Sequence, residues 1–222
     1  MTKRQMLLGF AAMSLSLASV MTARANMFSE AQYQVGTASF TIVGWGSANG
    51  IANITFNSNP IGTVFAGLFQ ISPPQQSTSY AACVDLQNYI SFGNSYTYQV
   101  WYASGRAGAL AALYNSINWS DADEAVGFQL ALWELVYDSY NNPLNDNLSA
   151  GNFIVNSSNP PGAISQAQFF LSQAQGAAPY FYLRAQGEHQ DLILVPYVPE
   201  PASLLALGVG VAGVALRRRR RA

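Results

Sequence analysis

Residues 125–138 read AVGFQLALWELVYD, and nearly every side of this stretch is apolar. Val126, Phe128, Leu130, Leu132, Trp133, Leu135 and Val136 cannot all be placed on one stripe, so the segment predicts a helix buried on most sides. Gln129 sits in its middle, one turn before Trp133, on the same face. A buried carboxamide needs partners, and the chain must supply them.

The helix start is legible. Asp121 with Glu124 three residues later has the spacing of an N-cap and its reciprocal N3 acid, and three acids near the first turn suit the helix dipole. Two more helical patterns flank it, AGALAALYNSI (107–117) and AISQAQFFLSQAQ (163–175). Upstream, β-branched and aromatic runs separated by Gly, Asn, Ser and Pro predict strands. These are ASFTIVGW (38–45), IANITF (51–56), TVFAGLFQI (63–71), YAACVDL (80–86) and YTYQVWY (96–102). DLILVPY (191–197) reads as a closing strand, and YNNPLNDNLSAGN (140–152) as an exposed turn-forming loop. The expected fold is α+β: sandwich- or barrel-like N-terminal strands, a helical subdomain and a returning C-terminal strand.

Composition narrows the function. Half of the 222 residues are hydrophobic, enough for a sizeable core. The positive charge lies almost wholly at the two ends. Between residues 26 and 198 the basic residues are Arg106 and Arg184 against ten acids, a net charge of about −8. Such a body argues against nucleic acid, which needs a basic face. Lysine is absent after Lys3.

Both ends read as addresses. Lys3 and Arg4, an apolar run over 6–20 and the small-x-small site Ala23-Arg24-Ala25 predict a secretory signal peptide, residues 1–25, removed after Ala25. The last segment, 198–222, opens on Val-Pro-Glu-Pro and continues through an apolar run (202–216) into Arg217, Arg218, Arg219, Arg220 and Arg221. About fifteen helical residues span roughly 22 Å, short of a hydrocarbon core of about 30 Å, so this is a weak anchor. Its arginines should stay in the cytoplasm. The tail, with Pro199, Glu200 and Pro201 leading, resembles the PEP-CTERM sorting signal of Gram-negative bacteria. The resemblance implies an exosortase-type sorting protease as partner, transient anchorage in the inner membrane, then delivery to the cell surface or extracellular matrix. Proteins with this signal commonly occur in bacteria that make exopolysaccharide, which places biofilm matrix among the settings. It says nothing of what the body, 26–197, does.

The exported body holds a single cysteine, Cys83, in AACVDLQNYI. It cannot form an intramolecular disulfide. It is an inert core thiol, pairs with another chain, or commits its sulfur to another bond. A cysteine hydrolase needs a histidine against the thiol. His189, in the polar turn RAQGEHQD, reads as a solvated loop residue. No G-x-S-x-G, H-E-x-x-H, phosphate-loop or EF-hand spacing is present, and DADE (121–124) is explained by the helix start rather than by a metal.

A thiolate can attack a glutamine carboxamide, expel ammonia and leave an internal thioester. That chemistry needs a Cys on one rigid element, a Gln facing it and little water. CVDL at 83–86 and FQLALW at 128–133 resemble the paired motifs of bacterial thioester domains, with Val84 and Leu132 each standing where isoleucine is usual. The resemblance implies a Cys83–Gln129 crosslink, with Trp133 packed beside it and Asp85 and Phe128 in support. It implies no cofactor, no metal and no enzymic turnover, but covalent capture of an amine-bearing surface or matrix molecule. The rival reading is a non-covalent matrix protein that stacks polysaccharide on aromatics such as those of TYQVWY (97–102) and PYFYL (179–183), although core-strand aromatics are the favoured reading of these rings.

Overall fold

The computed structural model describes residues 30–72, 79–86, 88–138 and 146–195. The signal peptide with Ala23 and Ala25, residues 139–145 of the turn-forming loop, and the tail with Pro199 to Pro201 and Arg217 to Arg221 lie outside the described residues.

Among the described residues, nine strands form two sheets. Six close into a barrel in the order β1 (Ala31–Trp45), β4 (Phe69–Ser72), β5 (Ser79–Cys83), β9 (Leu192–Val195), β8 (Ala178–Ala185) and β6 (Ser95–Gly105). Neighbouring barrel strands pair antiparallel. The other three, β3 (Asn59–Ala66), β2 (Gly50–Phe56) and β7 (Phe153–Asn159), form a separate antiparallel sheet with β2 in the centre. Alternation explains the inward faces. In β2, Ala52, Ile54 and Phe56 are buried while Asn53 and Thr55 are only partly so. Phe40, Ile42, Ile71, Ala81, Tyr98, Tyr180, Tyr182 and Ile193 of the barrel strands are buried in the core.

Among the described residues, three α-helices follow β6: α1 (Arg106–Ala111), α2 (Ala122–Tyr137) and α3 (Ala163–Gln173). Every residue of α2 from Ala125 to Tyr137 is buried, as its composition predicts. One side of α2 meets the second sheet, where Tyr137 packs on Phe56 at 4.6 Å and Trp133 on Phe153 at 6.2 Å between ring centroids. Another side lies against α3 at Gly127. A Cβ there would fall 2.7 Å from that of Gln166 and 3.0 Å from the Ala163 carbonyl, so only glycine lets the two helices approach.

The α+β reading with a barrel and a returning strand holds, and the structure adds detail. The run 63–71 is two strands in different sheets, broken at Gly67, whose φ of +149° suits only glycine. The run 80–86 stops pairing as a strand at Cys83. The run 107–117 changes from α1 to a 3₁₀ turn over Ala112–Ser116. Two strands also return besides β9: β7, between α2 and α3, joins the second sheet, and β8, after α3, joins the barrel. At the start of α2, Asp121 caps by accepting from Asp123 N–H at 2.8 Å, but Glu124 accepts from Asn118 N–H instead of reaching back to the cap.

Candidate functional site

Strand β5 pairs with β9 as far as Cys83 and Leu192, but its pairing with β4 stops at Ala81 and Phe69. Beyond that point the chain turns away at Gly67, so the Cys83 peptide groups on that side have no strand to meet. Gln129 takes the place of one. Cys83 N–H donates to Gln129 Oε1 at 3.1 Å, and Gln129 Nε2 donates to the Cys83 carbonyl at 2.7 Å. A side-chain carboxamide thus completes the ladder at the barrel edge. Cys83 is 3% exposed and Gln129 1%. Loss of either partner would leave buried polar groups unpaired, at about 1–3 kcal/mol each.

The stripe continues down α2 at four-residue spacing. Trp133 lies beside the Cys83 sulfur, and its indole N–H is buried without a hydrogen-bond partner at bonding geometry. Tyr137, one turn further, accepts from Leu86 N–H at 3.0 Å and donates to the Val84 carbonyl at 3.3 Å. From the other side, Val84 N–H donates to the Asp191 carbonyl and Gln190 Nε2 to that of Asp85. Residues 83–86 are therefore held from the helix and from the approach to β9 together.

The sulfur is tied into a local turn. Cys83 Sγ donates to the Asp85 carbonyl at 2.9 Å and accepts from Asp85 N–H at 3.3 Å. The Asp85 carboxylate accepts from the backbone and side-chain amides of Asn88, which closes the turn. Burial pushes the Cys83 thiol far up and the Asp85 charge adds to this, while the Asp85 N–H and the Trp133 indole oppose it. The group is a neutral thiol at ordinary pH.

Cys83, Gln129, Asp85 and Trp133 thus meet at one place. Phe128 does not join them by any ring contact: its ring packs edge-on against Trp119 at 5.2 Å. Tyr137, Asp191 and Gln190 were not anticipated from sequence. Tyr137 alone carried a signal, the spacing of 129, 133 and 137 along one helix face. His189 corrects an expectation. It is 8% exposed rather than solvated, stacked on Tyr96 at 4.8 Å, edge-on to Tyr98 at 5.0 Å and within 3.2 Å of the Thr97 carbonyl. Barrel strand β6 holds that imidazole, so no Cys–His pair is formed through these contacts. Among the described residues, no group of three or more His, Cys, Asp or Glu is placed to hold a metal.

A second cluster of buried polar residues lies at the end of α2. Glu134 Oε1 accepts from Asn147 N–H at 3.0 Å, and Asp138 accepts from Asn152 and Phe153 N–H at 2.8 and 2.7 Å. Arg106 forks onto Asp146 at 2.9 and 2.8 Å and donates through Nε to the Ala174 carbonyl. Burial pushes the Glu134 carboxyl up to about 8.

Residues 198–220 match the PEP-CTERM protein-sorting motif. The motif indicates an exported cell-surface protein, anchored at its C-terminus before display and processed there by an exosortase. No helix among the described residues is long and apolar enough to cross a membrane. No curated protein matches the chain. Among solved structures, the chain is similar to the N-terminal thioester domain of the fibronectin-binding protein SfbI from Streptococcus pyogenes. The identity is 14% and the TM-score 0.38, over 60% of this chain and 87% of that one.

Proposed function

We propose that Cys83 and Gln129 form an internal thioester, and that this exported protein uses it to bind amine-bearing surface or matrix molecules covalently. The observation that carries the reading is the two-point pairing of the Gln129 carboxamide with Cys83, the sole cysteine, in a site nearly closed to water. Proximity and exclusion of water are what an intramolecular acyl transfer needs. Sγ bonds to the Gln129 carbonyl carbon, the C–N bond breaks, and the nitrogen leaves as ammonia with the thiol proton. Cys83 N–H already points at Oε1, the atom that becomes negative when that carbon turns tetrahedral. An incoming primary amine then bonds to the same carbon, the C–S bond breaks, and the amine's spare proton ends on sulfur. The product is an amide through Gln129 and a free Cys83 thiol. The reaction runs once per molecule and is not enzymic turnover. The absence of lysine after Lys3 removes the commonest internal competitor.

Intact mass of the natively folded body tests this. The expected mass is one ammonia below the sequence value, and methylamine should add its own full mass while exposing one thiol. Full sequence mass in freshly prepared native protein, with Cys83 alkylated as soon as the fold is opened, would falsify the thioester.

One surface feature supports the second reading, non-covalent binding of polysaccharide. Trp45 stacks on Phe69 at 5.0 Å and meets Phe92 at 5.6 Å and Phe65 at 6.2 Å, and Phe65 and Phe92 are 69% and 49% exposed. Retention of the fold in Trp45→Ala with loss of glycan binding, in protein lacking the ammonia deficit, favours that reading. Trp101→Ala, on the barrel wall, is its companion.

A further inference from the structure

We infer that Trp133 takes a direct part in the acyl transfer, its indole N–H receiving the Cys83 sulfur as that atom leaves the Gln129 carbonyl carbon. The inference rests on the thioester reading and adds to it a specific donor. Two partly buried indoles have partners: Trp119 Nε1 donates to the Tyr114 carbonyl at 3.0 Å, and Trp101 Nε1 lies 3.4 Å from Gln99 Oε1. Trp133 is 2% exposed, yet its N–H makes no hydrogen bond at bonding geometry. A buried donor without a partner is costly, and such groups persist where another state of the molecule uses them. The atom beside this one is Cys83 Sγ, and the indole favours its ionised form.

The three states of the sulfur differ in what they ask for. As a thiol it donates to the Asp85 carbonyl and accepts from Asp85 N–H. As a thioester it has no proton to give, and it is a poor acceptor. When an amine opens the thioester, the C–S bonding pair passes to sulfur, which is then an anion in a site that penalises charge. Two donors face it there: Asp85 N–H, already engaged, and the Trp133 indole, held open. Catalytic hydrogen bonds that are long or badly aligned at rest commonly tighten as charge develops. The transient thiolate then takes the spare proton of the attacking nitrogen, which completes the transfer.

The test is Trp133→Phe, which keeps most of the ring and removes the N–H. Exported, folded wild-type and variant protein are mixed with methylamine, and intact mass is followed over time at several pH values. Both proteins should begin one ammonia light, and the variant should open roughly ten- to a hundredfold more slowly. Once opened, its Cys83 should be alkylated by iodoacetamide only at higher pH than in the wild type. Phe153→Leu, which loosens the ring without touching the N–H, should open within a few-fold of wild type. Equal opening rates and equal alkylation profiles in wild type and Trp133→Phe would overturn the inference and leave the thioester standing. So would a slowing in Phe153→Leu as large as in Trp133→Phe. A wild type without the ammonia deficit removes both readings. If Trp133→Phe does not fold, the wild-type indole ¹⁵N–¹H resonance of Trp133 gives the answer. It should move downfield on methylamine opening at alkaline pH, and an unchanged resonance overturns the inference.

Discussion

Two turns of one helix bury two polar side chains and treat them in opposite ways. Gln129 is neutral, and both ends of its carboxamide are matched to the two peptide groups of Cys83. Glu134, little more than one turn later, is an acid whose ionised form burial disfavours, beside Asp138, Asp146 and Arg106. The first has the same partners at any pH and suits a fixed geometry for acyl transfer. The second anchors a connecting segment through Asn147 N–H, and its charge state depends on pH. A buried amide and a buried acid are thus different devices: one defines a position, the other makes stability conditional.

The sharpest way to break this comparison is Gln129→Leu, made in a Cys83→Ala background so that neither protein can carry a crosslink. The difference then reads only the two hydrogen bonds to the residue 83 backbone. Two buried peptide groups lose their partners, and we expect a loss of about 2–4 kcal/mol in urea unfolding. A loss under about 0.5 kcal/mol would mean that water or a shifted strand replaces the carboxamide, and that β5 is not held there. In the wild-type Cys83 background the same substitution should abolish the ammonia deficit altogether.

Glu134→Gln addresses the other half. The folded-state carboxyl is raised to about 8 from an ordinary value of 4.5, so the folded chain binds this proton more tightly than the unfolded chain. Its favourable contribution is complete below about pH 4.5 and is lost as pH rises through about 8. Glutamine keeps the acceptor for Asn147 N–H and cannot ionise. The variant should match the wild type near pH 5 and exceed it by roughly 1–3 kcal/mol at pH 9. Glu30, also raised by burial, should leave a residual slope of the same sign in both proteins. An unchanged pH profile would place the titration elsewhere.

The sequence disclosed these two turns unequally. The burial of α2 and the presence of a polar side chain needing a partner were plain from composition. That Gln129 completes a sheet edge was not, because it depends on β4 beginning only at Phe69 while β5 continues to Cys83, and on a helix 46 residues further along filling the gap. The aromatic run 179–183 reads as a core strand, and it lies in β8. Its buried residues Tyr180 and Tyr182 bond through their hydroxyls to Glu30 and Asp191, partners that no local pattern discloses. His189 was misplaced because a polar turn predicts exposure, whereas the barrel mouth supplies two tyrosine rings that cover it. Local chemistry, in the form of caps, turns and periodicity, was readable. What depended on which edges meet was not.

Asp121→Ala gives the smallest effect and serves as the control for the comparison. Asp121 caps α2 from an exposed position through a single bond to Asp123 N–H, and its removal should cost about 1 kcal/mol. If the two buried groups act through their own partners and not through general firmness of the helix, the loss should appear as a uniform drop in stability. The ammonia deficit, the methylamine rate and the pH slope set by Glu134 should all stay at wild-type values. A slower methylamine reaction in Asp121→Ala would instead tie the chemistry at Gln129 to fraying of the helix two turns away. The position of the carboxamide would then depend on the whole of α2 rather than on its pairing with Cys83.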